Sequence, residues 1–323
     1  MQLISRSPAT TEDALEQVPL EPRRSSGRRV GTIVLFLLPS AVLYVVFILL
    51  PVVQAAFYSL FRWSGLGPLS DFSGLRNYVL ALTDKVFIGA LVDNLIIVIL
   101  SLLIQLPISL CLALIIGKSL PGRTIFRTIF FLPFILSDVV AGVIWSFIYR
   151  PEGGLLNTTL HQLFPGFQAQ LWLGNPKIVL GSIFVVMIWK YFGLHLVLYM
   201  AAIQDIPDEI VEAARIDGAS ALQVVRYISV PLLGSTIRLT IFLSALGSLQ
   251  YFDLIWIMSS GGPVHASETM ATYLIKYGFQ SFAMGFGSAV GVIMFVICFI
   301  FSLTYQRLIM RRDLAGSITG AQT

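Results

Sequence analysis

Six long runs in this 323-residue chain, residues 30–60, 94–117, 128–149, 178–204, 231–260 and 277–306, carry almost no charge. The first, second and last have none. The third holds only Asp138, the fourth only Lys190, and the fifth only Arg238 and Asp253. A hydrocarbon layer about 30 Å thick is crossed by about 20 mostly apolar helical residues, because a helix satisfies internally the backbone groups that lipid cannot. The pattern therefore predicts an all-α polytopic membrane protein with six transmembrane helices. Charged residues make up 12% of the chain, against about 25% in soluble domains. A soluble globular fold is excluded, and so is general disorder, whose low hydrophobicity and high charge match only the first thirty residues.

Basic residues set the expected orientation. Arg6, Arg23, Arg24, Arg28 and Arg29 precede the first run. Lys118, Arg123 and Arg127 lie between runs two and three, Arg215, Arg226 and Arg238 between four and five, and Arg307, Arg311 and Arg312 after six. The other face holds Arg62, Arg76, Lys85, Arg150, Lys177 and Lys276. This excess predicts that both termini are cytoplasmic. Residues 1–29 read as a flexible tail, 30–312 as the membrane domain and 313–323 as a second tail. The first run exceeds a signal peptide's apolar core of roughly 7 to 15 residues and is expected to remain as an anchor.

Other chemistries find little support. Cys111 and Cys298 sit in apolar runs and indicate neither a disulfide framework nor a metal site. The positive charges are dispersed between runs rather than gathered in a patch, which argues against nucleic acid. Gly117-Lys118-Ser119 mimics the end of a phosphate-binding loop, but the position where its first glycine belongs is Leu112, and the triplet ends a helix rather than following a strand.

The polar segment 205–231 encodes two short helices around a turn. Pro207 suits a first helical position, Asp208 and Glu209 suit the positive end of the dipole, and Gly218 suits a left-handed stop, giving a helix over 207–217. Ser220 with Gln223 forms a capping box, and Pro231 lacks the N–H to continue, giving a second helix over 221–228. Such an elbow is either a solvated ornament or a docking knob.

The spacing Glu212-Ala213-Ala214, three residues, Gly218, nine residues, Ile228-Ser229-Val230-Pro231 resembles the EAA loop of binding-protein-dependent ABC transporter permeases, with Val230 as the sole departure. Phe131-Leu132-Pro133, Trp172-Leu173-Gly174-Asn175-Pro176, Phe252-Asp253-Leu254-Ile255-Trp256 and Gly261-Gly262-Pro263 are similar to the first permease subunit of the sugar-importing branch. The resemblance implies a type I importer permease fold. It implies that Glu212, Ala213, Ala214, Asp217, Gly218, Ile228 and Pro231 couple to a cytoplasmic ATPase dimer, which binds ATP and Mg, while this chain holds no cofactor. It also implies a second permease subunit, an extracytoplasmic solute-binding protein, a sugar or polyol as cargo, and the plasma membrane of a prokaryote as the location.

Ionisable residues inside a span are costly and are functional candidates by default. Lys190, Tyr191 and His195 either face a pathway or serve helix contacts, Lys190 by snorkelling or by pairing with an acid of a partner subunit. Ser248, Gln250, Tyr251 and Asp253 form a polar cluster of the types that bind sugars, although Asp253 reads equally as structural. The resemblance places a substrate site on spans four to six, including the positions of Lys190, Tyr191, Leu194, Gln250 and Tyr251. Asp93 and Asp138 read as interfacial or buried structural acids. Pro39, Pro51, Pro107 and Pro133 are expected to kink their spans, and Gly285, Gly287, Ser288, Ala289 and Gly291 to allow close packing, inside the chain or against the second permease. A secondary transporter with Lys190 and Asp253 as proton-linked groups is the second reading, weakened by the dedicated elbow. A membrane enzyme lacks a clustered set of reactive side chains.

Overall fold

A helical backbone that must satisfy itself in lipid leaves room for irregularity only where protein covers it, and the irregularities are what shape this molecule. The computed structural model describes residues 26–117 and 122–310. The expected tails, apart from residues 26–29, and the Lys118-Ser119 pair lie outside them. Among the described residues, five helices are long and apolar enough to cross a bilayer. They become six spans when one bent pair is counted as a single crossing. The chain divides into two units, Met1–Val53 and Gln54–Thr323. The described part of the first is one helix, Ser26–Tyr44, which continues through a π-turn at Val45–Leu49.

In the second unit, span two covers Lys85–Ile116, starting nine residues before the expected boundary at Asn94. The cause is a cap: Asp84 Oδ1 accepts the amides of Val86 at 2.7 Å and Phe87 at 3.4 Å. Span three is not one helix, as the sequence suggested, but two, Thr124–Ile135 and Asp138–Ile148, bent by 94°. Leu136 is extended, and Ser137 caps the second helix by accepting the Val140 amide at 3.2 Å. Span four, Val179–Gln204, is regular and central. Span five, Gly234–Met258, also breaks: its helix ends at Leu249 and restarts at Asp253. Span six begins at Met284, not Tyr277. Tyr277 belongs to a separate short element, Met270–Tyr273 with a π-turn at Leu274–Gln280, that folds back against span six. A Cβ on Gly278 would meet the Gly287 Cα at 2.6 Å, so these backbones touch. Gly285 likewise abuts the Phe61 carbonyl, so these glycines serve packing inside the chain.

Pro39 and Pro133 lie inside α-helices, while three other prolines follow π-turns. Val45–Leu49, Ser101–Gln105 and Val225–Ser229 each end two residues before a proline, Pro51, Pro107 and Pro231. The wider turn takes up the unpaired carbonyl and the ring clash that a proline creates. For this reason Pro231 does not stop the second elbow helix, as expected, and the helix runs on from Ala221 to Leu232.

Three apolar clusters hold the unit together. One joins Ile97, Ala141, Ile183, Val186, Leu254 and Ile255, and a second joins Ala113, Leu196, Tyr199, Met200 and Leu233. Both centre on span four. A third seats Met270 and Tyr273 of the folded-back element against Phe87, Ala90 and Val290.

Candidate functional site

Spans two to five border a half-open cavity of about 400 Å³ whose wall is drawn in part from their irregular points. The π-turn of span two contributes Ser101 and Gln105, the end of the first half of span three Phe134, and the break in span five Gln250, Tyr251, Phe252 and Asp253. Span four adds Tyr191, Leu194 and His195, and the helical part of span five adds Ser244 and Ser248. Span six lines none of it. The break at residues 250–252 would leave carbonyls unpaired, and Asn94 answers it. Its Nδ2 donates to Ser248 O at 2.8 Å and Leu249 O at 3.3 Å.

The candidates Tyr191, Leu194, His195, Ser248, Gln250, Tyr251 and Asp253 thus lie together on one wall. Lys190 does not join them. It is 2% exposed and turned toward the bend of span three, where Nζ donates to the Leu136 carbonyl and lies 3.7 Å from Asp138 Oδ1. The sequence allowed pairing with an acid of a partner subunit, whereas here the acid is Asp138 of the same chain. Tyr191 donates its hydroxyl to the same Asp138 oxygen at 2.6 Å, so that donor is already engaged. Its ring meets Tyr251 edge-on at 6.0 Å. His195 is 4% exposed and its Nδ1 has no hydrogen-bond partner in the protein. The wall therefore offers hydroxyls, amides, an imidazole, aromatic faces and one carboxylate, the groups that hydrogen-bond and stack on a polyhydroxylated solute.

Sequence reasoning missed Ser101, Gln105, Phe134 and Ser244. The signal was present on span two, where Asn94, Ser101, Gln105 and Ser109 recur at helical spacing in an otherwise apolar run, and all four are buried. It also missed Glu268, which is fully buried and accepts from Lys276 Nζ at 2.7 Å and Thr272 Oγ1 at 2.7 Å, with His265 Nδ1 at 3.0 Å.

The elbow is formed as its local code dictates, with one shift. Its first helix is Asp208–Ile216, and Pro207 stands just before it as the cap residue rather than inside it. Gly218 is left-handed at φ +85°, its N–H donating to Arg215 O at 3.0 Å, while Ala219 N donates to Ala214 O at 2.9 Å. That pair is a Schellman stop. Ser220 N donates to Gln223 Oε1 at 2.7 Å, and Gln223 N to Ser220 Oγ at 3.4 Å, completing the capping box. Glu212, Ala213, Asp217, Gly218 and Pro231 are exposed, and Ala214 and Ile228 half-buried. Ile216 and Leu222 flank the turn, 86% and 75% exposed, so the elbow presents apolar surface beyond the bundle.

Helices of membrane-crossing length around a cavity with scattered polar groups, together with an exposed two-helix elbow, are the expected parts of a membrane transport component. The chain is 36% identical to a probable ABC transporter permease of Bacillus subtilis (strain 168) over 275 residues, covering 84% of this chain and 94% of the relative. It is 30% identical over 280 residues to the trehalose/maltose transport system permease of Thermococcus litoralis, covering 86% and 94%. No family model matches. In fold it is similar to a chain of a bacterial alginate ABC transporter solved with an alginate pentasaccharide-bound periplasmic protein, with a TM-score of 0.78, 23% identity, and coverage of 88% of this chain and 96% of that one. The chain belongs to the ABC transporter permeases of sugar-importer type, the non-catalytic, multi-pass membrane subunits of binding-protein-dependent importers.

Proposed function

We propose that this permease forms half of the translocation pathway for a neutral oligosaccharide or related polyol, and that the cavity between spans two and five is where the solute passes. The observation that carries the reading is the chemistry of the wall: hydroxyls, the amides of Gln105 and Gln250 and an aromatic pair set among apolar side chains around the opened backbone of span five, with Asp253 its only charged side chain. Relatives named for trehalose/maltose, multiple-sugar and diacetylchitobiose transport support the class. A relative for osmoprotective compounds keeps a non-sugar solute as the second reading.

In this reading both termini are cytoplasmic and the elbow seats in an ATPase dimer through Glu212, Ala213, Ala214, Asp217, Gly218, Ile228 and Pro231. ATP and Mg stay on that partner. A second permease completes the pathway and an extracytoplasmic binding protein delivers the solute. Nucleotide-driven closure biases the bundle between two arrangements, with the elbow and the cavity as the two linked sites. The test is uptake of maltose, trehalose and diacetylchitobiose by vesicles holding the complete importer. Tyr251→Ala is expected to abolish uptake with the complex intact, and Glu212→Arg or Gly218→Pro to abolish it with the protein still in the membrane. Uptake by this chain alone, or unchanged ATPase coupling in the elbow variants, overturns the reading.

A further inference from the structure

The bend in span three separates two half-helices that both touch span four, the second through Ala141 and through Trp145, whose ring meets Trp189 at 5.6 Å. The second also packs on span five. The first half, Thr124–Ile135, lies on span four so closely that a Cβ at Gly193 would fall on the Phe130 carbonyl. The second half, Asp138–Ile148, lies on the far half of span five, where a Cβ at Gly142 would meet Ile257 Cγ2 at 2.9 Å. The only backbone between them is Leu136 and Ser137, both extended. Few dihedrals of this kind suffice to absorb a hinge motion.

Lys190 sits across that joint. Its ammonium holds the Leu136 carbonyl, on the near side, which the extended backbone has released from the helical ladder. It also lies 3.7 Å from the Asp138 carboxylate, the first residue of the far side. Asp138 in turn accepts the Tyr191 hydroxyl, and Tyr191 is in edge-on contact with Phe134 at 6.2 Å and Tyr251 at 6.0 Å. Phe134, Tyr191 and Tyr251 are cavity wall, and Tyr251 lies in the break of span five. The two broken spans are therefore linked through Tyr191, which bonds the acid of an ion pair between a buried lysine and a half-buried aspartate and touches Tyr251. A buried charge is retained at a cost, and here its partners lie on opposite sides of a hinge.

We propose that Lys190 is a positioning residue of the transport cycle: with Asp138 it clamps the hinge at Leu136–Ser137 and thereby sets how the halves of spans three and five open the cavity. The claim rests on the permease assignment and is independent of which solute is carried.

The test uses the complete importer in nanodiscs with Cys111→Ser and Cys298→Ala, and Phe134→Cys as reporter of the wall. Labelling by a hydrophilic maleimide is compared without nucleotide and after trapping with ATP and vanadate. The parent is expected to change its labelling rate by about fivefold or more between the states. Lys190→Met and Asp138→Asn are expected to bring that ratio near one, and Lys190→Arg to keep it. A Lys190→Met complex that retains the parent's ratio overturns the proposal, as does a parent ratio near one. Should either single variant fail to assemble, Lys190→Met with Asp138→Asn removes both charges of the pair together. An assembled double variant with a normal ratio, or one that still fails to assemble, shows a folding element rather than a clamp.

Discussion

Asn94 on span two donates its side-chain amide to the carbonyl of Ser248, 154 positions along the chain, at 2.8 Å. The bond exists because the helix of span five ends at Leu249 and leaves its last carbonyls without amides. The same side chain reaches Leu249 O, and its Oδ1 accepts the Met270 amide at 2.9 Å, so one residue serves three backbone groups at 1% exposure. Asn94→Leu keeps the volume and strands all three. With each unsatisfied group costing about 1–3 kcal/mol, a loss of about 3 kcal/mol or more is expected. Thermal unfolding in detergent measures it, and an unchanged midpoint contradicts the account.

A second prediction concerns Gly261 and Glu268. Gly261 is left-handed at φ +77°, and a Cβ there would stand 2.7 Å from the Glu268 carboxyl. Gly261→Ala therefore pays for a strained backbone and also displaces the carboxylate from Lys276. Glu268→Gln weakens the same ion pair directly and is expected to destabilise by about 3 kcal/mol. Because both changes act on one contact, the double variant is expected to be less destabilised than the sum of the singles. Strict additivity in chemical or thermal unfolding would separate them.

The legible part of this fold was whatever a local rule decides. Uncharged runs marked the spans, and Gly218, Ser220 and Gln223 marked the elbow, because helix stops and capping boxes are written in neighbouring residues. The breaks in spans three and five were not legible. Pro133 signalled a kink in span three, but it lies inside the first half-helix and does not place the break at 136–137, and the openings stand because distant groups, Lys190 for Leu136 and Asn94 for Ser248, satisfy the freed carbonyls. Lys190 was noticed for the right reason, its burial cost, but its partner lay 52 positions away in the sequence, at Asp138. Glu268 was invisible because it lies between two runs, in a segment that reads as an ordinary polar loop until Lys276 and Thr272 fold around it.

Tyr273 gives a pH signature. Its phenol is fully buried and donates to Asp84 Oδ2 at 2.9 Å. Burial first, and the Asp84 carboxylate second, raise it above the ordinary value of 10. The folded state thus holds this proton more tightly than the unfolded chain. Its contribution to stability is complete below pH 10 and is lost as the pH climbs toward the raised value. Unfolding midpoints measured across alkaline pH should fall for the parent. Tyr273→Phe, which has no phenol to ionise, should start lower and fall less.

The last prediction separates strain from contact at the elbow. Nothing lies within 4 Å of a Cβ built on Gly218, so any effect of substitution there comes from its positive φ and not from crowding. A left-handed alanine costs about 1–2 kcal/mol, enough to melt a stop whose two backbone bonds hold nine residues of exposed helix. Asparagine tolerates the same conformation. Gly218→Ala is therefore expected to reduce transport-coupled ATP hydrolysis by roughly tenfold in the reconstituted importer, the rate equivalent of about 1.4 kcal/mol. Gly218→Asn should retain most of it. Membrane insertion is unaffected in both, because the six spans do not depend on the turn. If alanine and asparagine reduce coupling equally, the glycine is there for a partner that needs its bare backbone, and the conformational explanation fails.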